Sequence, residues 1–284
     1  MPELPEVEVV RAGLAPRLEQ RCIVDARILH PRAIRHNEDS LDSFAARLRH
    51  RQIQAVSRRG KFMWLRLDEA EAVVIHLGMS GQMLLSTDPH AHESHPHLRA
   101  RLLLDDGLSV WFIDQRTFGY WRRDDLIPVG EMGQQIPASI SHIARDLLDP
   151  LACLPEVAQA WKQRSRPIKA LLLEQNIVSG IGNIYADEML WAARISATRA
   201  AARISAARLL TLLEEGQQVM TRALAQGGTS FDDLYVNVNG SSGYFSRSLN
   251  AYGQAGRPCA RCGTPIQRRT VVGRSTYFCA RCQH

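Results

Sequence analysis

Four cysteines near the end of the chain carry the clearest chemical signal. Cys259-x-x-Cys262, sixteen intervening residues and Cys279-x-x-Cys282 present two chelating pairs at the spacing of a tetrahedral zinc site on a small β-hairpin. Four protein ligands fill a zinc coordination sphere, so the expected ion is a single structural one with a folding role. The other two cysteines, Cys22 and Cys153, stand alone, and tight pairs of this kind suit a metal site in a reducing compartment rather than a disulfide framework. Another group of metal-capable side chains, His90, His92, His95 and His97 in HAHESHPH, lies among prolines and a serine between two predicted strands. A solvated loop is the expectation there.

These groups need elements to position them. Leu4, Val7, Val10 and Leu14 follow helical spacing, with Pro2, Glu3 and Glu6 where a helix start favours proline and acids, so a helix begins almost at the N-terminus. From about 22 to 125 short β-type runs follow: CIVDARIL, QIQAVSRR, KFMWLRL, AVVIHL, RARLLL, LSVWFI and YWRR. One helix is predicted at 40 to 49. Their turns predict an antiparallel sandwich or barrel as an N-terminal domain over 1–130. Around 126 to 138, IPVGEMGQQIPAS reads as an interdomain linker. Residues 139–228 read as helical, most clearly in SAARLLTLLEEGQQVMTRALAQ, where Leu209, Leu213, Met220 and Leu224 share a face before Gly227 and Gly228. Residues 229–252 read as a long functional loop and 253–284 as the four-cysteine finger. The fold class is therefore multidomain, β then α.

The chain carries 35 Lys and Arg against 29 Asp and Glu, a formal net charge of +6. The distribution says more than the total. Residues 253 to 284 hold Arg257, Arg261, Arg268, Arg269, Arg274 and Arg281 with no acid, more positive charge than the two negative charges a four-thiolate zinc centre retains. A cationic finger facing phosphate is expected. No run of 18 apolar residues suggests a membrane span, and acids at Glu3, Glu6 and Glu8 stand where a signal peptide would be basic and then apolar, so an intracellular protein is expected.

Several separated motifs, in order, resemble the formamidopyrimidine-DNA glycosylase family: MPELPEVE at the start, RRGK at 58–61, HLGMSGQ at 76–82, DQRTFG at 114–119, SGIGNIYADE at 179–188, GGTSF at 227–231 and the cysteine finger. The resemblance spans the whole chain. It implies an N-terminal antiparallel β-sandwich with a catalytic helix, a helix-two-turn-helix DNA-binding domain and a zinc-finger β-hairpin, in a bifunctional enzyme that excises oxidised purines from double-stranded DNA and nicks abasic sites by β,δ-elimination. Pro2, freed of Met1, would be the amine nucleophile, and Glu3 would handle protons at the sugar. Lys61 would serve β-elimination, and Arg274 would clamp phosphate in δ-elimination. Glu6 would organise the site or cap the helix. Met79, Arg116 and Phe118 would fill the gap left by the extruded nucleotide. Lys169 corresponds to a lysine near the lesion, and His97 and Arg164 to phosphate contacts.

Asn183, with Gly180 and Gly182, opens a helix whose amides suit a phosphate. The loop after Gly228, through Asn237, Asn239 and Gly240 to Tyr244 and Phe245, would fold over the extruded base. The DQRTFG form has Gln115 and Thr117 where the family more often has proline and arginine, which bears on loop rigidity and opposite-base preference. The expected protein is a monomer without membrane attachment. Two other readings stand beside this one. An endonuclease VIII-like glycosylase shares the proline chemistry but usually has glycine where this chain has Leu4. A catalytically silent DNA-binding protein would keep the finger without needing Pro2, Glu3 and Lys61.

Overall fold

The structure, a computed structural model, describes residues 2–130, 133–229, 238 and 245–284. It divides into two compact units. One takes Glu6–His142 with Pro2, Thr229 and Val238, and the other takes Glu3–Pro5, Ile143–Gly228 and residues 245–284.

In the first unit two antiparallel sheets follow helix α1 (Leu4–Leu18). Strands β1 (Ile23–Ile28), β6 (Leu98–Leu104), β7 (Ser109–Asp114) and β5 (Gly81–Ser86) form one sheet in that order. Strands β2 (Ile53–Arg59), β3 (Phe62–Leu67), β4 (Glu71–His76), β8 (Tyr120–Val129) and β9 (Gln134–Pro137) form the other. Alternation sends Ala26, Leu102, Val110 and Phe112 from the first sheet, and Met63, Leu65, Val73 and Ile75 from the second, into one core. Val7, Val10, Leu14 and Leu18 of α1, with Phe44 and Leu48 of α2 (Leu41–Leu48), complete it. Strand β7 is buried along its whole length because Trp111 and Ile113, on its other face, pack with Leu84 and Leu98. His92 meets Trp111 edge-on at 5.6 Å, and His90 Nδ1 pairs with Glu93 at 2.6 Å, so the histidine run sits over the outer face of the sheet.

The stretch read as a linker is instead a hairpin. Ile127 pairs with Ile136 and Val129 with Gln134, adding β9 to the sheet edge and carrying the first unit to His142. The glycines that suggested a linker, Gly130 and Gly133, have φ of 71° and 60° and lie at its turn.

The helical unit contains α3 (Leu154–Lys162), α4 (Ile168–Leu173), α5 (Asn183–Ala192) and α6 (Ala206–Ala225). Ser205 caps α6 by accepting the Arg208 N–H at 3.3 Å. Leu209, Leu213 and Met220 are buried, and Leu224 is half-buried on the same helix. Helix α5 is buried from Ile184 to Trp191 and lies at the centre of the unit. Strands β10 (Gln267–Val271) and β11 (Arg274–Phe278) make the terminal hairpin. No described helix is long and apolar enough to cross a membrane.

Candidate active site and nucleic-acid interface

The carboxylate of Glu3, 2% exposed, closes the start of α5. It accepts N–H groups from Gly182 at 2.8 Å, Ile184 at 2.9 Å and Tyr185 at 3.3 Å. Those amides were expected to hold a phosphate. The structure gives them to Glu3, because a helix start offers free donors and positive potential to whichever anion lies closest. The glycines follow from the same contact. A Cβ on Gly182 would lie 2.2 Å from the Glu3 Cδ. One on Gly180, at φ +85°, would lie 2.5 Å from the Leu4 Cδ1, where the Leu4 N–H donates to the Gly180 carbonyl at 3.1 Å. Gly182→Ala is therefore expected to dislodge Glu3 and lower single-turnover excision by about 100-fold or more, since general acid–base catalysis contributes roughly that much. A variant that keeps wild-type excision rates would show that the fit is not needed.

Pro2 is buried, and Met1 lies outside the described residues. In the first unit, Glu6 Oε1 accepts both the N–H and the hydroxyl of Thr229, at 2.8 and 2.9 Å. Glu6 thus ties down the segment that begins the loop rather than only capping a helix. Asn237, Asn239, Gly240 and Tyr244 lie outside the described residues. Phe245, expected in the loop, is instead 2% exposed in the helical core, with its ring stacked 6.1 Å from Tyr185.

Lys169 is fully buried, not a surface cation. Its ammonium donates to Asp187 at 2.6 Å, Thr276 Oγ1 at 2.8 Å and the Ser275 carbonyl at 3.1 Å, while Asp187 also accepts the Tyr277 N–H at 2.8 Å. Sequence spacing could not reveal this, because the partners lie up to 107 positions away. Burial lowers the Lys169 pKa and raises that of Asp187 to about 6 despite their attraction. A buried pair loses hydration and is held here by its extra hydrogen bonds. Asn183 Nδ2 donates to the Ser275 carbonyl at 2.9 Å, so Lys169, Asp187 and Asn183 together fix β11. At its head Arg274 is exposed, just past the turn at Val272 and Gly273. Arg164, on the loop after α3, is exposed as well.

The Sγ atoms of Cys259, Cys262, Cys279 and Cys282 all lie within 4.8 Å of one another, with two separations of 3.5 Å. Zinc–sulfur bonds of about 2.3 Å require tetrahedral edges of about 3.8 Å, so the four thiols fit one zinc ion. The Trp191 indole N–H donates to Cys259 Sγ at 3.4 Å and orients it. Glu188, 2% exposed, accepts N–H groups from Asn250, Ala251 and Tyr252 and fixes the approach to the finger. Sequence reading missed this role.

In the first unit Met79, Arg116 and Phe118 come together on two touching turns. A Cβ on Gly78 would lie 2.4 Å from Gly119 N. Met79 is 42% and Phe118 47% exposed, which excludes core packing, and Arg116 Nη1 lies 3.8 Å from Met79 Sδ. The buried Asp114 carboxylate accepts the Ser80 hydroxyl at 2.5 Å and the Gly119 N–H at 2.7 Å, while Ser80 Oγ accepts the Arg116 N–H at 3.0 Å. Arg35 donates to the carbonyls of Phe118 and Gly119 at 2.7 and 2.8 Å. Asp114, Ser80 and Arg35 build these turns, and no local spacing signals all three.

Lys61 follows Gly60 at the β2–β3 turn. Arg58 braces that turn, reaching Glu8 at 2.8 Å with one arm and the Gly60 carbonyl at 3.0 Å with another. Nearby His76 is driven down to about 4, by burial first and then by the charges of Lys61, Arg35 and His36, so it stays neutral at physiological pH. Its Nδ1 accepts the Gly78 N–H at 3.1 Å. His97 is half-buried, with its Nδ1 3.3 Å from Arg99 Nη2.

A sheet unit and a helical unit ending in a four-cysteine ribbon define a two-unit, zinc-ribbon protein with a carboxylate fixed beside its N-terminus. Family models for the formamidopyrimidine-DNA glycosylase N-terminal domain, its H2TH domain and the zinc finger found in FPG and IleRS match residues 1–121, 143–234 and 256–284. The chain belongs to the formamidopyrimidine-DNA glycosylase family. Proteins of that name from Corynebacterium efficiens and Mycolicibacterium gilvum are 57% and 53% identical to it, each aligned over 100% of this chain and over 99% and 98% of their own length. Among solved structures, a Lactococcus lactis FPG mutant bound to Fapy-dG-containing DNA aligns over 100% of both chains with a TM-score of 0.85 and 28% identity. MutM (FPG) from Thermus thermophilus aligns over 99% of this chain and 98% of its own, with a TM-score of 0.82 and 33% identity.

Proposed function

We propose that this chain is a bifunctional DNA glycosylase and abasic-site lyase of base excision repair, acting on oxidised purines in double-stranded DNA. The observation that carries this reading is the N-terminal one: a buried Pro2 followed directly by a carboxylate that a rigid helix end holds with three donors. With Met1 removed, the proline nitrogen lone pair attacks the anomeric carbon. The damaged base departs with the glycosidic bonding pair and the amine gives up its proton; the bond from the anomeric carbon to the ring oxygen then breaks, its pair goes to that oxygen with a proton, and the positive charge is left as an iminium. An unprotonated secondary amine is available near neutral pH, because α-amines titrate close to 8. Glu3 handles the protons of ring opening. The iminium withdraws electrons, so the adjacent sugar carbon loses a proton and the phosphate beyond it leaves. A second elimination frees the other phosphate.

Lys61 serves the first elimination, and Arg274 clamps phosphate in the second as a fixed positive charge. His97, Arg164 and Asn183 are assigned contacts with the DNA backbone, and Lys169 supports Arg274 through the Ser275 carbonyl and Thr276 rather than touching DNA. The finger's zinc has no chemical step and holds the hairpin. The protein acts as a monomer inside the cell, where its DNA substrate is.

Met79, Phe118 and Arg116 fill the duplex once the nucleotide is extruded, with Arg116 presenting donors to the orphaned base. Duplexes carrying 8-oxoguanine, a formamidopyrimidine or an oxidised pyrimidine test this reading. Wild type is expected to excise the two purine lesions fastest. Met79→Ala with Phe118→Ala should slow excision by about 10- to 100-fold, because unstacking costs a few kcal/mol per step. Its melting temperature should hold, since neither side chain is core. A large fall in melting temperature with normal excision by the folded fraction would contradict the wedge, and preference for the oxidised pyrimidine would contradict the substrate class.

A further inference from the structure

Helix α5 has a second charged end. Its ten residues span about 15 Å. At the start are Glu3 and Asn183. Arg194, Arg208, Arg261 and Arg281, with His284, surround a depression of about 400 Å³ at the other end. Cys262 and Cys282 border it but Cys259 and Cys279 do not, so it is not the metal site itself. All four guanidinium-bearing residues are exposed, and among the described residues no carboxylate lies within salt-bridge distance of any of them. Arginines elsewhere in the chain do find carboxylates, as Arg51, Arg58 and Arg123 show.

Two of the four are already fixed in place. Arg261 donates to the carbonyls of Trp191 and Ala192 at 2.6 and 2.9 Å and stacks 3.8 Å over the Trp191 ring. Arg208 donates to the carbonyls of Ala193 and Arg194 at 3.4 and 3.2 Å. These bonds cap the helix, yet each guanidinium keeps donors free for a planar anion. Arg194 sits just past the helix at φ +56°, where glycine is the comfortable residue. Among the described residues its large side chain makes no hydrogen bond or ion pair, so neither capping nor backbone geometry accounts for an arginine at this position. The expected phosphate-facing set in the finger thus divides. Arg268, Arg269 and Arg274 belong to the hairpin, Arg261 and Arg281 to this depression, and Arg257, which donates to Gln254 at 3.0 Å, to neither.

We infer that the depression docks an acidic segment of a protein partner, its carboxylates bound by these forked guanidiniums. A hollow of this size admits a few side chains, whereas duplex DNA is engaged along an extended stripe of phosphate contacts. Zinc-loaded full-length protein is titrated with fluorescein-labelled hexa-aspartate, with hexa-glutamine as control, and separately with a lesion duplex. Saturable binding of the aspartate peptide alone is expected. Arg194→Gly, which relieves the backbone, together with Arg281→Ala should weaken that binding by about tenfold or more. Zinc content, melting temperature and duplex affinity should remain as in wild type. Equal binding of the two peptides, or peptide affinity undiminished in the double variant, would overturn the inference. A parallel loss of duplex affinity would also overturn it and assign the depression to the DNA surface.

Discussion

Protein whose N-terminal Pro2 nitrogen is blocked by acetylation is expected to lose single-turnover excision by more than about a thousandfold, in line with removal of a catalytic nucleophile. It should still bind lesion duplex within a few-fold of wild type. The reason is local: only the nitrogen changes, while the Glu3 bonds to Gly182, Ile184 and Tyr185 remain available. Pro2→Gly is a poor substitute, because glycine also presents a terminal amine. The strand-cleaving activity on preformed abasic sites should fall with excision, since both pass through the same iminium. Retention of abasic-site cleavage with the amine blocked would mean that another group, such as Lys61, forms the covalent bond.

Cys279→Ser is expected to abolish zinc binding and weaken lesion-duplex affinity by about 100-fold. Cys279 is fully buried, and structural zinc supplies on the order of 10 kcal/mol of folding free energy to a small site. The loss should spread inward through β11, because Thr276 and Tyr277 hold Lys169 and Asp187. Without the hairpin those two buried charges lose part of their hydrogen-bond shell, which is costly. A chelator applied to wild type should reproduce the effect, and zinc should reverse it. Zinc content by elemental analysis alongside duplex titration checks this, and full affinity in a zinc-free sample would remove the finger from the DNA-binding account.

Much of the architecture was legible because it rests on local pattern. The four cysteines announce their site through spacing alone, and β1 to β4 and β6 to β8 follow from short apolar runs between turns. Strand β5 was read only as a motif, since Gly81 and Gln82 carry no strand signal. Strand β9 was hidden by the Gly and Pro content of a hairpin that looks like a linker. The roles of Gly180 and Gly182 were misread for a different reason: the contact that demands glycine comes from Glu3 and Leu4, nearly the whole chain away. Lys169 shows the same limit. Its residue type says cation, and only the fold shows that Asp187, Ser275 and Thr276 enclose it. A wedge role for Met79 and Phe118 is implied by family resemblance, while the Asp114 and Ser80 bonds that shape their turns join residues 34 positions apart and leave no local pattern.

The central proposal is that the chain's own N-terminus does the chemistry, and covalent trapping tests it most directly. Borohydride should reduce the iminium on an 8-oxoguanine duplex to a stable amine, and peptide mapping of the trapped protein by mass spectrometry should place the adduct on Pro2 as the first residue. An adduct on Lys61 or another lysine, or no adduct under conditions where the strand is cut, would contradict the account.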